Sequence, residues 1–140
     1  MDEEYEELLR QEKIKQAEQT VCQEENTNMD MQIERLAVLK KQLEEWKDEY
    51  RDITDAFVRY PEQYLVEEWH GDVYDKTTEQ IWNDIQEKSL DIVGKIDIYL
   101  DAVCNKICEL KNAQEENIFL ISSIKKELRI LRNEIEKYLD

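Results

Sequence analysis

From Leu36 the apolar positions of the chain run Leu39, Leu43, Trp46, Tyr50, Ile53, Phe57 and Tyr60, in alternating steps of three and four. Such steps average the repeat of a helical heptad, so the spacing predicts a long amphipathic helix with one apolar seam. The second half repeats the pattern through Ile81, Ile85, Ile92, Ile96, Tyr99, Val103, Ile107 and Leu110. It resumes at Ile121, Ile124, Leu128, Leu131, Ile135 and Tyr138, with polar layers near Ser89, Gln114 and Asn117. Between the halves, Pro61 restricts Tyr60 and predicts the end, or a kink, of the first helix. Gly71 then frees the backbone, and Asp72 is the expected N-cap of the second helix, with Asp75 favoured by the helix dipole in its first turn.

The two apolar series mirror one another about the middle of the chain. Antiparallel pairing through a central turn sets Leu36 near Val103, Leu39 near Tyr99, Leu43 near Ile96 and Trp46 near Ile92. The same register carries outward to Met29 with Leu110, Ala17 with Ile121, Ile14 with Ile124 and Leu8 with Leu131, as one fixed alignment requires. The predicted fold is all-α: an elongated antiparallel helical hairpin forming a single domain over 1–140. Its first arm covers about 3–60, its turn 61–71 and its second arm 72–139. Polar amides at Asn26-Thr27-Asn28 and from Asn112 to Asn117 fall at the same level of both arms, and a break in each arm is expected near 26–28 and 112–117. Gly94 reads as a tolerated surface glycine rather than a point of close helix approach.

Composition narrows the function more than the fold. With 39% charged and 41% hydrophobic residues the 140-residue chain suits amphipathic helices, and its regular apolar spacing argues against disorder despite a net charge of -16. A two-helix layer has little interior, so part of the apolar stripe is expected to remain available to another protein. Such acidity opposes phosphate backbones and anionic lipid, so neither nucleic acid nor a membrane surface is an expected partner. No apolar run reaches the roughly 18 to 20 residues that span a bilayer, and Met1-Asp2-Glu3-Glu4 lacks the character of a cleaved signal. Three cysteines fit free thiols in a reducing cytoplasm better than a disulfide framework.

Candidate chemistry is sparse. His70 stands alone, without a second histidine for a metal site or relay. Cys104 and Cys108 share a helical face and could hold a metal only with ligands from elsewhere; small buried hydrophobes are the expected reading, with Cys22 near Asn117 and too distant to join them. Carboxylate runs such as Glu3-Glu4-Tyr5-Glu6-Glu7 read as solvated helix faces, since a slender hairpin offers no concave site in which to shift a pKa. The expectation is a non-catalytic protein with no cofactor and no metal.

The turn carries a further signal. Glu67-Glu68-Trp69-His70-Gly71-Asp72-Val73-Tyr74-Asp75 places a Trp-x-Gly motif between two matched heptad arms, in a small acidic chain. This arrangement resembles the WXG-motif family of bacterial type VII secretion systems, and within it the small helical proteins encoded beside LXG toxins. The resemblance implies a targeting partner that binds the helical N-terminal domain of an LXG-type toxin. Exported members of such pairs carry a Tyr-x-x-x-Asp/Glu signal after the second helix, whereas here Tyr138 is followed by Leu139 and Asp140. The resemblance therefore also implies a second small helical protein supplying that signal.

The function expected from these observations is an adaptor that promotes toxin export by association, without turnover. It would be cytoplasmic, with export alongside its cargo as the alternative. Partner contacts are expected from Trp46, Tyr50, Phe57, Trp69 and Trp82, with Gly71 shaping the turn. Two other readings stay open: a self-associating cytoplasmic coiled-coil scaffold, and an independently secreted WXG-type effector.

Overall fold

A computed structural model of the chain describes residues 2–64 and 72–139, and accounts for side chains at 3–56, 76 and 79–139. The protein is a helical hairpin: α1 spans Asp2–Tyr64 and α2 spans Asp72–Leu139. Few residues in either helix oppose this conformation, since the whole chain holds two glycines and one proline. Acidic Glu3 and Glu4 sit in the first turn of α1, and Lys137 in the last turn of α2, each where the helix dipole favours its charge. Pro61 does not end α1, which continues to Tyr64. A proline removes only its own N–H, and the following residues can still donate back along the helix.

The expected breaks near 26–28 and 112–117 are absent: both helices run through those segments without interruption. The amides there bond within and between the helices instead of capping new ones. Thr27 Oγ1 donates to the Gln23 carbonyl at 3.1 Å, a bond back along its own helix. Gln114 Nε2 donates to the Asn26 carbonyl at 3.2 Å and to the Asp30 carboxylate, and Asn117 Nδ2 donates to Glu25 Oε2 at 3.2 Å. Asn26 Nδ2 returns a long bond of 3.5 Å to the Gln114 carbonyl.

The helix pair packs as two compact units. One comprises Met1–Arg35 with Lys106–Asp140, the other Leu36–Asn105. In the first unit, Leu110, Ile124, Leu128 and Ile135 of α2 are buried, together with Asn117. Leu128 is the most enclosed side chain of this set at 3% exposure, and full burial of a leucine contributes about 1.5–3 kcal/mol. Facing them, α1 contributes half-buried Tyr5, Leu8, Glu12, Lys15, Gln19, Cys22, Asn26, Met29 and Ile33. In the second unit Leu43 and Thr54 of α1 meet a buried row of Ser89, Val93, Ile96 and Val103 on α2. Thr54 satisfies its hydroxyl on the Tyr50 carbonyl at 2.9 Å.

The seam in contact keeps much of the one expected from apolar spacing but departs from it in the second unit. On α1 it runs Leu36, Lys40, Leu43, Lys47, Tyr50, Thr54, so Leu39, Trp46 and Ile53 fall beside it and stay exposed. On α2 it runs Ser89, Val93, Ile96, Leu100, Val103, Ile107, Leu110, Gln114, Asn117, Ile121, Ile124, which leaves Ile81 and Tyr99 exposed. The polar layers thus belong to the seam. Lysines can occupy it because their aliphatic stems cover apolar surface while the ammonium reaches the edge. Lys15 meets Glu127 at 2.7 Å in the first unit, and Lys47 meets Asp97 in the second.

The expected register holds where Ile14 and Ile124 line one groove, while several polar pairs are offset from it. Lys15 pairs with Glu127 and Glu4 with Tyr138, and Cys22 lines a groove with Leu120 and Ile124. Glu127 and Tyr138 each lie roughly one helical turn, about 3.6 residues, beyond the level that the apolar register assigns them. The cause is the lean of side chains toward the N-terminus of their own helix. In an antiparallel pair these leans oppose, so side chains that meet come from positions further along both helices than backbone levels suggest.

Candidate partner-binding surface

In the second unit the burial pattern creates an apolar face. Leu39 and Trp46 each precede one seam residue by one position and another by four, and Ile53 precedes Thr54 by one. On α2, Ile85, Ile92 and Tyr99 stand in the same relation to their own seam. Equal offsets in antiparallel helices fall on the same side of the pair, so the two rows share a face. Trp46 is 43% exposed and Tyr99 63% exposed, while Ile85 and Ile92 are half-buried. The opposite side carries exposed Leu90 and Asp97, which pairs with Lys47 of the seam. Along the outer edge of the apolar face lie Gln42 and Glu49 on α1, and Lys88 and Lys95 on α2, all exposed. Lys95 also pairs with Asp91 at 3.1 Å, one turn back on its own helix.

The first unit presents two open grooves and a cleft. Ile14, Ala17, Val21, Cys22, Leu120 and Ile124 line an apolar groove between the helices. Ile14 and Lys15 then line another with Gln11, Glu127, Ile130 and Leu131. Near the chain ends, Glu3, Glu4, Glu7 and Glu134 surround Leu8 and Tyr138, with Lys137 at the rim. Tyr138 donates its hydroxyl to Glu4 and packs against Tyr5 at a ring separation of 5.7 Å. The hydrogen bond to the Glu4 carboxylate, then partial burial and the nearby negative charge, hold the Tyr138 phenol above its usual pKa. Lys15 is likewise raised, by hydrogen bonds to Glu127 and Glu18. Bonds from Arg10 and Gln11 lower the Glu7 carboxyl.

Of the residues expected at a partner surface, Trp46 lies on the exposed apolar face, while Tyr50 and Trp82 are half-buried on the seams. The Phe57 side chain, Trp69 and Gly71 lie outside the described residues, as does His70. Leu39, Ile53 and Tyr99 were expected inside the hairpin and instead line the exposed face. The signal that finds them is their common offset from the seam, which requires knowing the seam first.

Cys104 and Cys108 are free and exposed, not buried hydrophobes; Cys22 is free and half-buried. Position 104 lies beside the seam and 108 turns further outward, so neither faces α1. Among the described residues no group of three or more His, Cys, Asp or Glu could hold a metal ion. Nor is any described helix long and apolar enough to cross a membrane. Gly94 is exposed, and a Cβ there would meet nothing within 4 Å. Comparison with family models, with curated proteins and with solved structures finds no match to this chain.

Proposed function

We propose that the chain is a non-catalytic adaptor that binds the helical N-terminal domain of an LXG-type toxin and promotes its export by type VII secretion. The exposed apolar face of the second unit carries this reading. Leu39, Trp46 and Ile53 recur every seven residues beside a seam that is already occupied, which is the spacing a further helix would need to pack there. Aromatic anchors such as Trp46 supply a large share of the affinity in such interfaces. The resemblance of the central Trp69-His70-Gly71 turn to WXG-motif proteins supports the choice of toxin and secretion route, and a second small helical protein would supply the export signal.

Co-expression tests the proposal. The N-terminal helical domain of an LXG toxin from the same genome is expected to co-purify with the chain, and Leu39→Ser with Trp46→Ser is expected to abolish that association while helical circular dichroism persists. A chain that forms a stable self-assembly and ignores the toxin domain would identify a scaffold instead. Export of the chain from cells lacking the toxin would identify an independently secreted effector.

A further inference from the structure

We propose that the first unit carries a docking groove for an amphipathic helix of another protein, one whose apolar row is flanked by lysine or arginine. This goes beyond the adaptor reading, which rests on residues of the second unit. The two grooves and the cleft of the first unit lie on one side of the helix pair. Glu7, Ile14, Val21, Leu120, Ile130 and Glu134, which line them, each stand one position before a seam residue, and equal offsets share a side in antiparallel helices. Ile14 belongs to both grooves, so they are continuous, and the cleft follows about one turn beyond Gln11, at Glu7 and Leu8. From Glu7 to Val21 the α1 wall rises about 21 Å, room for four turns of a further helix.

Backbone chemistry and charge select the occupant. Both walls are helices whose backbone groups bond within each helix, so an extended segment laid between them would gain no main-chain partner, whereas a helix brings its own bonds. Ile14, Val21, Leu120 and Ile130 are between 48% and 59% exposed, which leaves an apolar floor for its apolar row. Beside the seam on the grooved side stand Glu4, Glu7, Glu18, Glu127 and Glu134 against Lys137. On the other side, over the same stretch, stand Lys13, Lys125, Arg129 and Arg132 against Glu6 and Glu136. The acidity is thus a property of the grooved side and not of the chain's overall balance. Ion pairs do not cancel it. Lys15 serves both Glu127, at 2.7 Å, and Glu18, at 3.3 Å, so one cation meets two carboxylates. Arg10 meets Glu7 at 2.7 Å, and Glu134 has no ion pair among the described residues. A basic-flanked helix lying on the floor sets its cations over these carboxylates.

Fluorescence anisotropy with the full chain tests this, the probe being a labelled synthetic peptide of about 18 residues with leucines at heptad spacing and lysine and arginine on both flanks. It is expected to bind and to gain helix on binding, whereas a peptide with the same leucines and glutamate flanks binds roughly tenfold more weakly or worse. Glu18→Lys with Glu134→Lys is expected to abolish that preference. Val21→Ser with Leu120→Ser is expected to weaken the basic peptide by roughly tenfold or more. Both side chains are half exposed, so the seam survives their loss, and circular dichroism of the free chain checks that it does. Glu45→Lys with Asp48→Lys, at exposed positions of the second unit, changes net charge by the same amount and is expected to alter binding by no more than about twofold. An equal loss there would reduce the effect to attraction by the net charge of -16 and overturn the proposal. Equal binding of both peptides, or binding of neither, also overturns it. So does an oligomer of the chain that Val21→Ser with Leu120→Ser breaks apart, since the occupant would then be a second copy. None of these outcomes touches the adaptor reading, which stands or falls on whether the toxin domain co-purifies.

Discussion

Tyr138 shows how one side chain joins the two helices near their ends. Its ring packs on Tyr5 and its hydroxyl donates to Glu4, so the protonated phenol is the form the fold favours. Because the folded pKa is raised, the stabilisation is complete below the usual phenol value of about 10 and disappears as pH rises through the higher folded value. Lys15, also raised, acts in the same direction. We expect thermal stability to fall as pH rises through this alkaline window, and Tyr138→Phe to reduce the slope of that fall. Melting followed by circular dichroism at stepped alkaline pH checks it; an unchanged slope would assign the loss to other groups. Exposure, too, is decided residue by residue: Cys104 and Cys108 share a helical side, but that side is open to solvent.

At the level of the helices, the layer of Asn26, Asp30, Gln114 and Asn117 costs stability while fixing alignment. The buried Asn26 Oδ1 has no hydrogen-bond partner, and an apolar pair would pack there without that penalty. Asn26→Leu with Gln114→Leu is expected to raise the melting temperature and to admit additional assemblies on sizing, as polar seam residues commonly specify register and oligomer state. A single species of unchanged size would show that alignment is set elsewhere. Two helices and their antiparallel pairing were legible in the sequence because the apolar repeat persists along both halves. Which column of that repeat faces inward was not legible. On α1 the columns containing Leu36, Leu43 and Tyr50 and containing Leu39, Trp46 and Ile53 are both apolar, and letters alone do not rank them. Tertiary packing chose the first and completed it with Lys40, Lys47 and Thr54, residues that no apolar count would select. The amide segments misled for a related reason: Asn and Thr cap helices when alone, but here they found partners across the pair.

For the molecule as a whole, charge opposes packing more than ion pairs support it. The ion pairs between helices at Lys15–Glu127, Lys47–Asp97 and Arg132–Glu12 involve partly exposed groups, and such pairs add little because solvent and salt screen them. The excess negative charge of 16 repels across both units. Moderate sodium chloride is therefore expected to raise the melting temperature, and a fall would show that the pairs outweigh the repulsion. The mixed seam has another consequence, in time rather than in space. During synthesis α1 leaves the ribosome before α2 exists, and each nascent first helix must wait without its mate. Lys15, Lys40 and Lys47, spaced along its inward side, would confront one another if two such unfinished chains paired too early. Lys15 and Lys47, which later meet α2 carboxylates, thus join Lys40 in discouraging neighbouring polysomal chains from pairing before each has made its own second half.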